Sequence, residues 1–577
     1  MDPSNPKADT SDKVSYVSAS NLEAGIVTEG SRFQRFKDSF KPADLSHVPN
    51  YENLTDLEKA AIATANSPLQ RSLKTRHLQM IAIGGSIGTG LFIGSGKALG
   101  NGGPASLLIA FFLIGVMLYC TIQVLGELTV RFPVSGAFST FCTRFIDPAW
   151  GFAIGWNYGI QWLVVFPLEL VAASMTIQYW NKEINAAAWV AIFWSAIMVI
   201  NLFGVKGYGE AEFIFSFIKV IAVIGFIIFG IVINCGGGPQ GGYIGGTYWY
   251  TPGAFNHGFK GLCSVFVTGA FSFSGTEIVG LAAAETSNPR KTMPAAIKQV
   301  FWRIVIFYLT SLIIVGLIVP YTDDQLFSTT GSIGASPFVI AIRNAGVKGL
   351  PSVMNAVVLI AVLSVGNSAV YGCSRTISAL AAQGHAPKFL GYIDRQGRPI
   401  FGIMLSGVVG LLCFVAASEK EPEVFAWLMA LTGLSTIFTW GSICFCHIRF
   451  RAAMKLQGRS EREIVYKSQV GLIGSYFGVI FNFLVLVAQF WTGLFPVGSS
   501  KADVTSFFQA YLAAPIVLAC FLFFKIWKKT KFVSLKDMDL DTGRREVDTE
   551  AIMAEIAEEQ AYIRSKNFFY RTWKFWC

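Results

Sequence analysis

Charged residues are scarce in this sequence. Asp, Glu, Lys and Arg together make up 14% of the 577 residues, whereas 53% are hydrophobic, and the mean hydropathy is +0.50. In soluble domains about a quarter of the residues are charged on average. The composition therefore excludes an ordinary soluble protein and indicates a polytopic membrane protein.

Motifs for catalysis and nucleotide binding are lacking as well. The ten cysteines have no paired spacing typical of disulfides or zinc sites, and the five histidines lie mainly outside the apolar runs. No Ser/His/Asp grouping indicates a hydrolase. The glycine clusters "GSIGTG" and "GSGKA" match neither the dinucleotide fingerprint nor the P-loop. The sequence thus predicts no enzyme, no metal site, no organic cofactor and no ATP-driven pump.

What the sequence does contain is a series of apolar runs. About twelve runs of roughly 18 to 25 residues recur along the chain, each long enough to cross the hydrocarbon core of a bilayer. The predicted spans are 77–100, 105–126, 152–178, 187–204, 212–234, 262–284, 301–320, 353–374, 400–417, 424–447, 472–494 and 506–526. They predict an all-α polytopic protein in contact with membrane lipid.

The positions of lysine and arginine predict the orientation in the membrane. Arg71, Lys74 and Arg76 precede the first span. If that end is cytoplasmic, the loops predicted to lie inside hold far more lysine and arginine than those outside, as the positive-inside rule requires. An even number of spans returns the chain to the cytoplasm. We therefore expect cytoplasmic termini, a disordered arm over 1–76, and a net charge of +10 that reflects topology and not a nucleic-acid partner.

The first span contains an unusual density of glycine. It reads "IAIGGSIGTGLFIGSG" over Ile81–Gly96. One interpretation is close helix packing through small residues. The other is a helix broken in mid-membrane, which Ser86 and Thr89 near the middle of the run favour. Unwound backbone survives in hydrocarbon only where it lines a cavity or binds a ligand, through amides for an anion and carbonyls for a cation.

A second interruption follows five spans later. The sixth span reads "CSVFVTGAFSFSGTEIVGLAAAE", with small and polar residues clustered from Gly269 to Glu277. Spans one and six run in opposite directions under the predicted topology. Two facing interrupted helices would form one midplane site, which suits a solute with adjacent amino and carboxylate groups.

Three ionisable residues stand out inside predicted spans, where an isolated charge is costly and tends to mark a functional pathway. They are Glu169, Lys219 and Glu277. Glu277 is either a strut for the broken helix or a proton-linked group. Lys219 is either a snorkelling interfacial lysine or a buried ammonium in the place of a coupling cation. Glu169, beside Pro167, is interpreted mainly as structural or pocket-lining.

Four long segments resemble the fungal amino acid permeases of the amino acid–polyamine–organocation superfamily. They are "GGSIGTGLFIGSG", "GELTVRFPVSGAFSTF", "FSFSGTE" and "AAAETSNPRKTMPAAIKQVFWRI". The likeness runs from about residue 70 to the end. The final segment "EVDTEAIMAEIAEEQAYIRSKNFFYRTWKFWC" is similar to the tails of general amino acid permeases.

The resemblance implies a fold of five plus five spans in an inverted repeat, with broken helices 1 and 6. The first repeat would cover 77–234 and the second 262–447, followed by two extra helices in 472–526 and a cytoplasmic regulatory tail over 527–577. It also implies proton-coupled uptake of amino acids across the plasma membrane by alternating access.

Residues of the site follow from the same resemblance. Those expected to bind the substrate are Ser86, Gly88, Thr89, Gly90, Phe271 and Ser274. Gly88, Thr89 and Gly90 would hold the carboxylate, while carbonyls of the other three would bind the amino group and Phe271 would act as a gate. Lys219 and Glu277 would serve proton coupling.

Both tails are interpreted as regulatory. Residues 548–566 predict a short acidic helix that exposes Glu558 and Glu559; a plain solvated helix is the alternative. Lys7 and Lys13 resemble lysines used for ubiquitin-driven removal, which implies a ubiquitin ligase and endocytic adaptors as partners. Cys577 ends the chain without a prenylation pattern, which leaves palmitoylation as an option.

Two other function classes compete with transport. A receptor of the same fold would bind amino acids without moving them, although sensors in this family often carry a much longer N-terminal arm. A channel would need a continuous polar lining, whereas the polar interruptions here concentrate in two spans. Transport is therefore the favoured interpretation.

Overall fold

The computed structural model describes most of the membrane-spanning part of the chain. Described residues are 31–41, 80, 87–134, 136–181, 183–239, 241–282, 289–326, 336–417, 421–542, 558, 561–568 and 570–571. Within these ranges the chain forms helices, turns and loops and no β-strand. The all-α prediction is confirmed.

Seventeen α-helices lie within the described ranges. In chain order they are α1 (Arg32–Ser39), α2 (Ser95–Arg131), α3 (Ala137–Phe145), α4 (Pro148–Ile177), α5 (Ala186–Leu202), α6 (Gly204–Asn234), α7 (Gly258–Phe273), α8 (Ile278–Ala282), α9 (Pro289–Trp302), α10 (Ser311–Ile318), α11 (Pro337–Asn344), α12 (Leu350–Ala382), α13 (Ile400–Gly410), α14 (Glu421–Leu456), α15 (Gly471–Leu494), α16 (Val504–Tyr511) and α17 (Ala513–Lys528). Wider π-helical turns precede α2 over Gly90–Gly94 and join α9 to α10 over Arg303–Thr310.

Eight of the described helical segments are long and apolar enough to cross a membrane, or nine if α16 and α17, bent by 61°, form one span. The segment Gly90–Arg131 is 42 residues long and kinks at Gly103, which has a φ of 78° and precedes Pro104. It thereby covers the second predicted span and residues 90–100 of the first. With the shorter apolar helices Ala186–Leu202 and Ile400–Phe414, the described part of each of the twelve predicted spans falls on an apolar helix.

Several helices extend beyond the predicted ends of their spans. α6 begins at Gly204 and not at 212, α2 ends at Arg131 and not at 126, and α14 continues to Leu456 and not to 447. Each extension carries charged residues, which lower the hydropathy of any window that includes them. Among these charges, Glu127 of α2 and Arg451 of α14 pair with each other, so these two helices continue where the apolar pattern stops.

The core of the bundle lies between five helices. α4 packs along α12, α2 packs along α7, and α14 contacts α4, α7 and α15. α15 lies at the periphery and exposes a row of large apolar side chains, among them Ile473 with 84% of its surface exposed. Such a face fits contact with lipid, because apolar side chains there need no protein partner.

The N-terminal arm is not disordered throughout, which corrects the expectation for 1–76. Ser31 accepts a hydrogen bond from the amide of Gln34 at 3.2 Å, and Gln34 accepts one from the amide of Ser31 at 3.0 Å. This capping box begins α1. Arg395, from the loop between α12 and α13, donates to Asp38 at 3.0 Å, and Arg398 donates to Ser39 at 2.9 Å. Residues 31–41 are therefore folded against that loop.

The chain after α17 also contacts the bundle. The amide of Val533 donates to the carbonyl of Ile146 at 2.9 Å, and Gln457 donates to the carbonyl of Met538 at 2.9 Å. The side chains of Met538 and Leu540 are buried. Residues 529–542 thus follow the ends of α3 and α14.

Much of the predicted tail helix 548–566 lies outside the described residues. Residues 561–565 are helical, and Glu558 is exposed. Lys7, Lys13, Glu559 and Cys577 lie outside the described residues.

Candidate substrate and proton site

The sixth predicted span is interrupted in the middle. α7 ends at Phe273, Ser274 adopts an extended conformation with ψ of 145°, and α8 begins at Ile278. Gly275 has a φ of 93°, in the left-handed region that favours glycine. The break therefore follows from the sequence itself and falls inside the predicted Gly269–Glu277 cluster.

The first predicted span contributes the start of a helix at the same place. The carbonyl of Gly88 accepts a hydrogen bond from the amide of Phe92 at 3.0 Å, and helical backbone runs from Thr89 onwards. Residues 81–86, including Ser86, lie outside the described residues. Amides at a helix start carry positive partial charge and attract anions. Gly88, Thr89 and Gly90 are therefore placed where a carboxylate can be bound.

Gly90 brings the two spans into contact. A Cβ added at Gly90 would lie 2.7 Å from the Oγ of Ser272, so no side chain fits there. Ser272 is one residue from the end of α7. The helix start of the first span thus lies directly against the broken part of the sixth.

Ser274 is held by side chains of two further helices. Gln161 of α4 donates to Ser274 Oγ at 2.8 Å and to Thr436 Oγ1 at 2.9 Å, and Thr436 of α14 donates to Ser274 Oγ at 3.2 Å. Phe271 is buried one turn earlier on α7, and its carbonyl accepts the amide of Ser274 at 3.1 Å. These contacts fix the backbone of the break.

Glu277 is buried and accepts hydrogen bonds from three donors. They are the amide of Gly275 at 3.2 Å, the hydroxyl of Tyr158 at 3.4 Å and the indole of Trp440 at 3.2 Å. Because these donors come from α4, α14 and the break itself, the carboxylate ties three parts of the bundle together. This geometry agrees with the strut interpretation.

Glu169 of α4 connects to the start of the first helix. The hydroxyl of Thr89 donates to its carboxylate, and both side chains are buried. Glu169 is therefore a neighbour of the helix start that would bind the substrate carboxylate.

Lys219 lies deep in the bundle. It is 15 residues from the start of α6, about 22 Å along the helix axis, and its side chain is fully buried. Its ammonium donates to Ser364 of α12 at 2.8 Å and lies 3.5 Å from Glu212 of its own helix. Ser364 in turn donates to both oxygens of Glu212 at 2.8 Å. The snorkelling interpretation of Lys219 is therefore wrong, because its partners lie inside the protein.

Arg303 completes a group of five buried ionisable residues. It donates to Thr276 in the broken segment and interacts electrostatically with Glu277 and Lys219. Lys219 also interacts with Glu169 and Glu212. Three carboxyl groups therefore share a buried region with two cations, which leaves a formal charge of −1 among these side chains when all are ionised.

Two of these five residues were missed at the sequence level, although a signal existed. Glu212 stands at the predicted start of the fifth span and Arg303 two residues inside the seventh, positions at which a charge does not stand out. The neutral polar partners Gln161, Thr436 and Trp440 gave no signal. Their importance depends on helices far apart in sequence.

The described residues contain no group of three or more His, Cys, Asp or Glu that could hold a metal ion.

Comparison with known proteins places the chain in a family. The family model "Amino acid permease" matches residues 77–537. The chain is 60% identical over 549 residues to the general amino-acid permease GAP2 of Candida albicans, covering 94% of this chain and 93% of that protein. It is 56% identical over 557 residues to the general amino-acid permease GAP1 of Saccharomyces cerevisiae, covering 95% and 92%.

A relative named for a single substrate is nearly as similar. The chain is 51% identical over 543 residues to the histidine permease of Saccharomyces cerevisiae, covering 92% of this chain and 90% of that protein. With a family model that spans most of the chain and relatives above half identity, the protein belongs to the amino acid permease family, whose members are multi-pass membrane proteins that transport amino acids.

Proposed function

We propose that this protein carries out proton-coupled uptake of a broad range of L-amino acids across the plasma membrane, with both termini in the cytoplasm. The proton is the coupling ion, and no other cofactor takes part. Transport proceeds by alternating access, in which the bundle exposes the same site first to one side and then to the other.

The substrate is held between the two interrupted helices. The start of the first helix, at Gly88–Gly90, offers amides to the carboxylate, and the carbonyls around the break of the sixth span receive the amino group. Contact between Gly90 and Ser272 brings both sets of groups within reach of one small solute. Because the clamp consists of backbone, it selects the part that all amino acids share.

The observation that carries proton coupling is the unequal number of buried charges beside the clamp. Among the described residues, Glu169 and Glu212 interact electrostatically with Lys219, and Glu277 interacts with Arg303. An unbalanced charge in a low-dielectric region costs several kcal/mol. Uptake of one proton neutralises the group, so the state in which the site is closed to water favours the protonated form.

Coupling follows if substrate binding and this proton favour the same conformation. A proton changes transport only by changing the relative stability of the outward-open and inward-open states. Thr89 provides the link, because it lies at the helix start and donates to Glu169. Binding of the substrate carboxylate at that helix start alters the electrostatics of Glu169 and, through it, of Lys219.

A broad substrate range rests on the two relatives named general amino-acid permeases, at 60% and 56% identity. These relatives are named permeases and lend no support to a receptor that binds without transport. Competition for uptake in a permease-deficient fungal cell, using basic, acidic and neutral amino acids and proline, tests the range. If only one of these amino acids competed for uptake, the broad substrate range would be contradicted.

Regulation through the tails is part of the same proposal. Lys7 and Lys13 would accept ubiquitin from a ligase recruited by endocytic adaptors, and the tail around Glu558 and Glu559 would affect trafficking. The double variant Lys7→Arg, Lys13→Arg should remain at the cell surface after amino acids are added, whereas the unmodified protein is removed. If the double variant and the unmodified protein were removed from the surface at the same rate, the assignment of Lys7 and Lys13 as ubiquitin acceptors would be contradicted.

The experiment that tests the function uses purified protein in proteoliposomes. A pH gradient with an alkaline interior should drive labelled amino acid to an internal concentration above that outside, and a proton ionophore should abolish the excess. Equilibration without accumulation, under a gradient that a pH-sensitive dye shows to be intact, would contradict proton coupling.

A further inference from the structure

A row of polar side chains leads away from Lys219 between α6 and α12. On α6, Tyr208, Glu212 and Lys219 follow one another at spacings of four and seven residues and share one face of the helix. On α12, Ser364 and Ser368 are four residues apart and face them. All five side chains are buried. The row covers about 16 Å along α6.

Hydrogen bonds connect this row without a large gap. Lys219 donates to Ser364 at 2.8 Å, and Ser364 donates to Glu212 at 2.8 Å. Ser368 donates to the other oxygen of Glu212 at 3.5 Å. The hydroxyls of Ser368 and Tyr208 are 3.1 Å apart. Every group in the row can accept one proton and release another.

The far end of the row meets a polar cleft. Tyr208 stacks on Tyr371 with ring centroids 4.0 Å apart and an interplanar angle of 7°, which fixes its ring. Both tyrosines line a narrow cleft together with Asn201, Arg375 and Arg398. Arg398 belongs to the loop that α1 contacts. This is the side on which the positive-inside rule places the cytoplasm.

Resting on the proposed proton coupling, the geometry points to Glu212 as the residue that carries the coupled proton from Lys219 towards the cytoplasmic side, through Ser364 on entry and through Ser368 and Tyr208 on exit. This assigns a role to a residue that neither the sequence motifs nor the substrate clamp requires.

The transfer balances without any other reactant. An N–H bond of the Lys219 ammonium breaks as Ser364 Oγ takes that proton, and the original hydroxyl proton of Ser364 forms an O–H bond on Glu212. The products are a neutral amine and a carboxylic acid. Glu212 then gives its proton to Ser368, whose own proton passes to Tyr208, and Tyr208 releases one to water that reaches the cleft when the bundle opens to the cytoplasmic side. One of the other two carboxyl groups stays protonated, so the group is neutral before this release and carries a charge of −1 after it. A proton from the other side of the membrane then restores the ammonium of Lys219.

Glu212 is surrounded by groups that suit such a transfer. Within the described residues, its charged neighbour is Lys219 on the same helix, and Lys219 in turn interacts with Glu169 of α4 and Arg303. α12 contributes only hydroxyl groups to the carboxylate. In the described part of the chain no arginine donates to this carboxylate, so gain and loss of a proton both remain accessible.

The test separates net proton-driven transport from exchange of one amino acid for another. During exchange the transporter changes between its outward-open and inward-open states with substrate bound, and no net release of protons is needed. Accumulation under a pH gradient does require net release of a proton. In proteoliposomes, Glu212→Gln should lower the ratio of gradient-driven accumulation to exchange at least tenfold. Gln keeps the size of the side chain and an oxygen that accepts from Ser364, but it cannot carry the proton.

Glu210→Gln serves as the matched control. Glu210 lies two residues before Glu212, so its side chain projects from a different side of the same helix, and it is half-buried. Glu210→Gln should show the same ratio of gradient-driven accumulation to exchange as the unmodified protein. If Glu212→Gln also keeps that ratio, whether or not both activities fall together, Glu212 does not carry the proton and the proposal is overturned.

Tyr208→Phe provides a second test should Glu212→Gln fold poorly. It preserves the stacked ring and removes only the hydroxyl next to Ser368. We expect gradient-driven uptake to slow several-fold, with a larger solvent deuterium isotope effect than in the unmodified protein. An unchanged rate and isotope effect would overturn the exit route. If the unmodified protein itself fails to accumulate substrate, proton coupling fails, and this outcome differs from a failure of Glu212 alone.

Discussion

Two buried clusters of charge in this protein are built differently. One, the relay row, consists of Tyr208, Glu212, Lys219, Ser364 and Ser368 between α6 and α12. The other, the helix-end cluster, joins Glu127 near the end of α2 to His447 and Arg451 of α14. Both centre on a carboxylate that is fully buried.

The carboxylates differ in the donors that surround them. Glu127 accepts from His447 at 2.9 Å, from Arg451 at 2.9 Å and from the amide of Ser468 at 2.8 Å. His447 is itself held by Ser475 at 2.7 Å. Glu212 accepts mainly from hydroxyls, and among the residues that the structure describes its cationic partner is Lys219, 3.5 Å away.

This difference indicates which buried carboxyl group can take part in proton coupling. A carboxylate bound by arginine and a backbone amide loses several favourable contacts on protonation and is therefore held ionised. A carboxylate bound by hydroxyls can reorganise, because each hydroxyl can turn from donor to acceptor. We interpret the helix-end cluster as structural and the relay row as functional.

Removing Glu127 should give the largest effect, and it should be an effect on stability. Glu127→Ala leaves Arg451 and His447 without their shared partner in a buried position, which costs about 3–5 kcal/mol. We expect little folded protein in detergent and a greatly reduced melting temperature. Glu461→Ala is the control, because Glu461 contacts the same arginine at 3.7 Å with 72% of its side chain exposed. Equal melting temperatures for the two variants would contradict the structural role.

Removing Lys219 should abolish coupled transport but spare the fold. Lys219→Met keeps an unbranched side chain only one atom shorter, and Glu212 retains the hydroxyls of Ser364 and Ser368 and can be protonated. We expect gradient-driven accumulation to fall at least tenfold at normal surface expression, as measured by labelled uptake and surface labelling. Unchanged pH-dependent accumulation would remove Lys219 from the mechanism.

In its role, Glu277 should resemble the structural Glu127 more than the proton-carrying Glu212. Its donors include a backbone amide and the indole of Trp440, neither of which can accept a proton in exchange. Glu277→Gln should therefore lower the rate of uptake a few-fold, because the new NH₂ group faces donors, while the pH for half-maximal uptake stays the same. A shift of that midpoint by one unit would show that Glu277 titrates during transport.

The smallest effect is expected at Glu463, in the loop between α14 and α15. Burial alone would raise the pKa of Glu463, but hydrogen bonds from Arg131 and Arg459 outweigh burial and lower this pKa below its usual value. A carboxyl with a lowered pKa stabilises the folded state above its unfolded pKa, and the contribution is lost as the pH falls through the folded pKa.

Glu463→Gln should therefore lower the melting temperature slightly at pH 7, by the equivalent of about 1 kcal/mol or less. The difference from the unmodified protein should disappear in acid, below about pH 4. Melting curves at both pH values measure it. An equal difference in melting temperature at both pH values would mean that the ion pairs with Arg131 and Arg459 do not stabilise the fold.

The interruption of the sixth span could be predicted from the sequence because its signal is local. Glycine, serine and threonine stand out in an apolar run, and the break after Phe273 lies where Gly275 permits a positive φ. The same reasoning located Lys219 and Glu277, since a charge within an apolar window is conspicuous.

The partners of these residues could not be predicted, for two physical reasons. Glu127, Glu212, Arg303 and Arg451 stand at the ends of apolar windows, where hydropathy ends a span although the helix continues. Contacts such as Glu127 with His447 join residues 320 positions apart. The folded segment 31–41 was missed because its capping box is short and its arginine partners lie more than 350 positions away.

The central claim is that one proton moves with each amino acid because the buried charges beside the clamp are unequal in number. The most direct measurement uses proteoliposomes with a pH-sensitive dye inside, no imposed pH gradient, and a potassium ionophore to prevent build-up of charge. Addition of a neutral amino acid outside should acidify the interior at a rate equal to labelled uptake. Uptake of label without acidification would contradict the account.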